Sequence, residues 1–310
     1  MQEFFSISLI ITQHLNRSLG TRAGVSLSKV SKYKRGLALE ENTHILLSDL
    51  GGSMGIDQDF SQPRNPAITC MNYMQYDFGV FNHQDLSNVS KLRRALSFSN
   101  FPWMNCNVAH PMTKEPFFGE PYQMFTINGM KLVVVSGYGG DFIPEEGDRD
   151  PTLHISGLGS SVKRWLRYIY DSVDPDYVIV CISDWDGETA AVHEDMEGVG
   201  MLITGSPGPE ADGGETDGAD AGGDDAGSAA GVVLSPRISA SKYETYNVPE
   251  DGRVPMYHHH HNSQVMHVSL NFKTRTTTYE YLGHSVARID QEVSQLSEDY
   301  NLLDLVHYHL

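Results

Sequence analysis

The stretch MNYMQYDFGVFNHQD, Met71–Asp85, joins three local patterns in a short space. ITCMNYM, Ile68–Met74, carries its apolar residues at helical spacing, Tyr76–Val80 is an apolar run of strand length, and Asn82-His83 follows as a polar tip. Asp85 can then cap a helix over Leu86–Ala95, with Arg93 and Arg94 near its end, where cations meet the negative pole of the helix. A strand that stops at polar residues and turns into a helix offers those residues at its C-terminal end.

The pattern recurs along the chain. HILLSD, His44–Asp49, reads as a strand breaking at Asp49, and FPWMNCNV, Phe101–Val108, and MKLVVVSGY, Met130–Tyr138, as two more. Val162–Val173 is amphipathic, PDYVIVCISD, Pro175–Asp184, is a strand ending at Asp184, and a short helix over Ala190–Glu197 precedes GMLITGS, Gly200–Ser206. Alternating strands and helices with polar strand ends predict an α/β layered fold with its site at those ends. QVMHVSLNF and TTTYEYLGHSVARI form a hairpin around Lys273-Thr274-Arg275, expected to add a second sheet. Residues 291–310 read as one C-terminal helix.

The formal charge of −18 over 310 residues excludes a nucleic-acid surface built on charge, so a charge-bound partner should be basic. No apolar run is long enough for a helical membrane span. Cys70, Cys106 and Cys181 are spaced for neither a zinc site nor a disulfide framework and read as buried free thiols. Phe4–Leu39 lacks acids and carries Arg17, Arg22, Lys29, Lys32, Lys34 and Arg35, so residues 1–40 are expected to be a basic arm: a mitochondrial transit peptide, a disordered partner-binding arm, or a secretory signal. Residues 205–231 hold seven acids among Gly, Ala and Ser with no Lys or Arg, and are expected to be a disordered surface insertion. The acids lack the alternate spacing of a calcium loop. A P-loop, a dinucleotide fingerprint and a Gly-x-Ser-x-Gly elbow are all absent.

With these residues in view, His44–Asp290 resembles the metallophosphoesterase domain of the 5′-nucleotidase and 2′,3′-cyclic phosphodiesterase family, within the calcineurin-like phosphoesterases. Met71–Asp85 is similar to that family's MN..GYD....GNHE.D, and SFSNFPWMNCNV, DYVIVCISDWDG and VMHVSLNFKTRTTTYEYLGHSVARID extend the likeness. The resemblance implies a single-domain, four-layer α/β/β/α sandwich over residues 41–290. It also implies two divalent metals, manganese, magnesium or zinc, held by D-x-H, G-D-x-x-Q, the Asn of G-N-H-E, a later His and a G-H-x-H loop. A second, base-gripping domain follows in that family.

Carried across residue by residue, the motif survives in part. Asp49 takes the Asp of D-x-H with Gly51 at its His, and Asp59-Phe60-Ser61-Gln62 mimics D-x-x-Q. Asn82 and His83 align with G-N-H-E, His83 as phosphate-positioning acid, while Ser183 or Asp184 replaces the later His. Gly205-Ser206-Pro207-Gly208 stands where G-H-x-H should be. Gly and Pro supply no side-chain donor, and two or three oxygen ligands hold a dinuclear pair poorly.

Two functions follow. The first is a catalytically inactive structural or interaction subunit with no resident cofactor, for instance in a mitochondrial complex, in which Asp49 caps a helix or turn, Asn82 ties down the turn after its strand and His83 hydrogen-bonds within the fold. The second is a residual metal-dependent phosphoesterase acting on nucleotides or phosphodiesters, with Asp49, Asn82 and Asp184 as ligands and His83 as acid. In it the run His258, His259, His260 and His261 replaces the lost imidazoles; otherwise that run is an exposed loop.

Overall fold

The structure, a computed structural model, describes residues 3–15, 18–20, 23–55, 64–140, 153–185, 196, 198–205, 256–259, 264–276 and 278–309. One six-stranded sheet has the order β13-β12-β1-β2-β3-β4 and a five-stranded sheet the order β11-β10-β9-β7-β6. In the first sheet β1 (Glu3–Thr12), β2 (Thr43–Asp49), β3 (Phe78–Val80) and β4 (Trp103–Met104) run parallel, with the hairpin of β12 (Val265–Arg275) and β13 (Thr278–Arg288) added antiparallel to β1. In the second, β7 (Met130–Tyr138), β9 (Tyr177–Ser183), β10 (Met201–Gly205) and β11 (Met256–His259) are parallel, and β6 (Tyr122–Ile127) closes one edge antiparallel. A short antiparallel pair, β5 (Val108–Ala109) and β8 (His154–Ile155), lies apart from both.

Three apolar layers hold these sheets. Ile7, Leu9, Phe78, Leu132, Ile179 and Leu270 pack between the sheets. Ile10, Leu47 and Phe81 pack on the outer face of the first sheet against α1 (Leu27–Leu37), α2 (Pro66–Met74), α4 (Val89–Leu96), α6 (Asp290–Gln295) and α7 (Tyr300–His309). Val133, Val180 and Leu202 pack the second sheet against α5 (Leu158–Ser172). The layering is therefore α/β/β/α in one domain, as the resemblance implies. Cys70, Cys106 and Cys181 are all buried and free, and burial pushes each thiol up to about 12.

The basic arm is corrected. Residues 3–12 form a central strand, paired over its length with β12 and from Ser6 to Thr12 with β2, and Ile7, Leu9, Ile10 and Ile11 have no exposure. Its apolar run does not alternate because both faces of the sheet are covered. Leu27–Leu37 is a helix capped by Ser26, and its Lys29 donates to the carbonyls of Gly24 and Ser294. Cleavage near Glu41 would remove the middle of the sheet.

Smaller corrections follow the caps. The helix expected over Leu86–Ala95 is two: α3 (His83–Leu86), capped by Asn82, and α4, capped by Asn88, whose side chain takes the Lys91 N–H at 2.9 Å. The hairpin widens the first sheet instead of making another. The C-terminal segment is α6 and α7, broken where Leu296 is extended. Phe101–Val108 yields only the two-residue β4 and the start of β5, with Asn105 turning the chain between them by accepting the N–H groups of Asn107 and Val108. The acidic insertion beyond Gly205 and nearly all of the helix expected over Ala190–Glu197 lie outside the described residues.

Candidate functional site

The parallel strands of both sheets end on one side, and the polar tips of β1, β2, β3 and β9 meet there. Asp49 ends β2 and is fully buried. Its Oδ2 accepts Thr12 Oγ1 at 2.7 Å and Ser53 Oγ, and its Oδ1 accepts the Gly51 N–H at 2.8 Å. Burial raises its pKa; the Ser53, Thr12 and Gly51 bonds and nearby His14 pull it back. Tyr76 lies 3.0 Å from Thr12 Oγ1, and burial together with the Asp49 charge keeps its phenol protonated.

The turn after β2 has no room for side chains. Gly51 and Gly52 have φ of +102° and +76°. A Cβ on Gly51 would lie 2.6 Å from Asn82 Cβ, and one on Gly52 2.6 Å from His14 Nδ1. Asn82, at the tip of β3, caps α3 reciprocally: its Oδ1 takes the Asp85 N–H at 3.0 Å, while Asp85 Oδ2 takes the N–H groups of Asn82 and Gly52 at 3.2 and 3.0 Å. Burial, aided by the charges of Asp49 and Asp184, lifts Asp85 to about 8. Its carboxyl is neutral at pH 7.

His83 joins the sheets. Its backbone N–H and its Nδ1 both meet Asp184 Oδ2, at 2.5 and 2.9 Å, and Ser183 Oγ donates to the Phe81 carbonyl beside it. Asp184 is 3% exposed, and its Oδ1 has no partner among the described residues. His14 and Asp184 both take left-handed backbone, φ 51° and 48°, at their strand ends.

Asp49, Asn82, His83 and Asp184 are thus brought together. Asp49 ends the second strand in chain order; the first runs out at Thr12-Gln13-His14, where Thr12 bonds Asp49 and His14 Nδ1 lies 3.4 Å from the Asn82 amide nitrogen. The Asp59–Gln62 mimic lies outside the described residues, as do His260 and His261. His258 and His259 are in β11, in register with Thr204 and Gly205 of β10. Thr12, His14 and Asp85 were missed from the sequence, although an apolar run ending in Thr-Gln-His carries the same strand-end signal as the others.

These residues fit a dinuclear metal centre poorly. Asp49 already accepts three protein hydrogen bonds, Asp85 Oδ2 accepts the N–H groups of Asn82 and Gly52 in a cap, and Asp184 Oδ2 is taken by His83. Among the described residues no set of three His, Cys, Asp or Glu side chains has metal-binding geometry.

No family model matches the chain. A Haemophilus influenzae 2′,3′-cyclic-nucleotide 2′-phosphodiesterase/3′-nucleotidase is 41% identical over 59 residues, 19% of this chain and 9% of that protein. Matches to the curated relatives span at most 22% of their length. The calcineurin-like phosphoesterase YfkN from Bacillus subtilis superposes with a TM-score of 0.65 at 15% identity, covering 99% of this chain and 98% of the other. A 5′-nucleotidase precursor from Thermus thermophilus superposes at 0.64 and 15% identity, over 98% of this chain and 58% of the other. The layered sheets and the meeting of strand ends around Asp49, Asn82 and Asp184 are thus those of a known architecture, and the chain has the fold of the calcineurin-like phosphoesterases and 5′-nucleotidases.

Proposed function

We propose that this chain is a non-hydrolysing form of the phosphoesterase fold that serves as a structural or interaction subunit. The observation that carries the reading is the carboxylate of Asp49, which already accepts from Thr12, Ser53 and Gly51. A metal would have to compete with these bonds at a buried acid, and on our reading of the family's D-x-H the first-strand run Thr12-Gln13-His14 puts Thr12 in place of a metal-binding carboxylate. Tyr300, Leu305 and Tyr308 on the outer surface of α7 are exposed and suit a protein partner.

A second reading, residual metal-dependent hydrolysis of a nucleotide or phosphodiester, draws support from the unpartnered Asp184 Oδ1 and from β11, which runs His258 and His259 toward the strand ends. In that case Asp184, Asn82 and His14 would hold the ion. A bound divalent ion would supply charge for the phosphoryl oxygens, and His83 would place a proton near the leaving group.

One experiment separates the two: metal content and manganese-dependent hydrolysis of bis(p-nitrophenyl) phosphate by the full chain, with a parallel sample in which His258–His261 are Ala. We expect no stoichiometric metal once the histidine run is gone and no turnover in either sample. Turnover abolished by Asn82→Ala would overturn the subunit reading.

A further inference from the structure

A cavity of about 980 Å³ opens between α5 and the segment leading into β6, and none of its lining residues belongs to the strand-end site. Its size is that of a small-molecule pocket. Three aromatic rings form one wall. Trp165 and Tyr168 meet edge to face at 5.8 Å and 83°, and Tyr122 is inclined to both, 6.3 Å from Trp165 at 50° and 6.4 Å from Tyr168 at 48°. Glu115 and Glu120 line the same cavity, and the Glu120 charge is close enough to raise the Tyr122 phenol, after burial and Tyr168.

The geometry selects the chemistry. Parallel rings would make a platform for a flat base or sugar, whereas these mutually inclined rings make a three-sided corner. With centroids 5.8–6.4 Å apart, there is a point above their triangle about 5 Å from all three, within the distance at which a cation over a ring face is attracted. Two carboxylates add to the negative ring faces, in a chain whose net charge is already −18. Arg164 shows the preference from within: its guanidinium stands 4.9 Å from the centre of the Trp165 ring while donating to the Lys114 carbonyl at 2.8 Å. Its charge is also, among the described residues of the wall, the one that opposes a cationic guest.

We propose that this corner is a binding site for a small quaternary ammonium ion, of the choline type, held by Tyr122, Trp165 and Tyr168 and neutralised by Glu115 and Glu120. The site is separate from the strand ends and does not depend on whether they hydrolyse anything.

The test is calorimetric titration of the full chain with choline chloride and, alongside, with 3,3-dimethylbutan-1-ol, which has the same shape and no charge. Choline should bind at least about tenfold more tightly than the alcohol, because only the cation gains the ring and carboxylate terms. Tyr168 is half exposed, so Tyr168→Ala should leave the circular dichroism unchanged and weaken choline about tenfold. Glu120→Gln should weaken it several-fold, and Arg164→Gln should tighten it by a similar factor. A trimethyl-lysine peptide carries the same headgroup; tighter binding than choline would assign the cage to a protein side chain as source. Equal affinity for choline and the alcohol, no binding by the folded protein, or a choline affinity untouched by Tyr168→Ala would each overturn the site.

Discussion

Thr12 Oγ1 donates to Asp49 Oδ2 at 2.7 Å, tying the tips of two neighbouring parallel strands together through a fully buried carboxylate. Thr12 has one proton to give, and Tyr76 can return one to its oxygen, so the three form a short relay in the outer layer of the domain. The bond stabilises the pair only as long as the donor stays. Thr12→Val keeps the shape and removes the donor, and should cost about 1–3 kcal/mol in urea-induced unfolding, the penalty for a buried acceptor left short. A variant as stable as the wild type would mean that Asp49 is held by Ser53 and Gly51 alone.

Thr12→Asp asks whether this exchange disables the metal site. Two carboxylates sharing one buried place repel unless a cation joins them, so the metal-free variant should melt lower than the wild type. Millimolar manganese should then raise its melting temperature by about 3 °C or more while leaving the wild type unmoved. No manganese response would put the defect elsewhere, at Gly205 and the residues after it.

Truncation to Glu41 should leave an insoluble or molten chain. It removes β1, whose Ile7, Leu9, Ile10 and Ile11 are buried at roughly 1.5–3 kcal/mol each, together about as much as the whole stability of a domain. Near-ultraviolet circular dichroism of the truncated protein checks this. A cooperative melt near that of the full chain would restore the reading of residues 1–40 as a dispensable arm.

Asp85 caps α3 as a neutral acid. Asp85→Asn keeps an acceptor for the N–H groups of Gly52 and Asn82 and should change stability at pH 7 by less than about 0.5 kcal/mol, whereas Asp85→Ala leaves both donors buried and should cost about 1–3 kcal/mol. Equal losses in the two variants would show that the charge, and not the cap, is what the site uses.

His267, in β12, lies 2.9 Å from the Tyr33 hydroxyl of α1, and burial lowers its pKa below the ordinary 6.5; His284, in β13, is lowered by burial as well. Between the folded value and 6.5 the unfolded chain binds protons that the folded chain refuses. Stability from these histidines is therefore complete above about pH 6.5 and is lost as pH falls through the folded value. The double variant His267→Gln/His284→Gln removes this titration, so the stability gap between it and the wild type should narrow as pH drops from 7.5 to 5. A gap constant over that range would mean that neither imidazole titrates differently on folding.

The strand-helix alternation, the buried thiols and the cluster of Asn82, His83, Asp49 and Asp184 were legible in the sequence because each rests on a local signal: an apolar run, a cap residue, a polar tip. β9 could be read as YVIVCIS alone, since a parallel strand covered on both faces must be apolar throughout. The same signal at Phe4–Ile11 was hidden by its basic, acid-free surroundings, which belong to a targeting segment as much as to a strand followed by a helix. Only pairing with β2 and β12 distinguishes them, and the β12 partner lies more than 250 residues away. Ring inclination at Tyr122, Trp165 and Tyr168 has no sequence signal at all: Tyr122 lies more than forty positions from the other two, and the register of β6 on β7, with α5 packed above, sets their angles. The sequence determined which side chains end each strand; the tertiary structure decided which strands end together, because long-range pairing obeys the burial of whole sheets and not the chemistry of any one stretch.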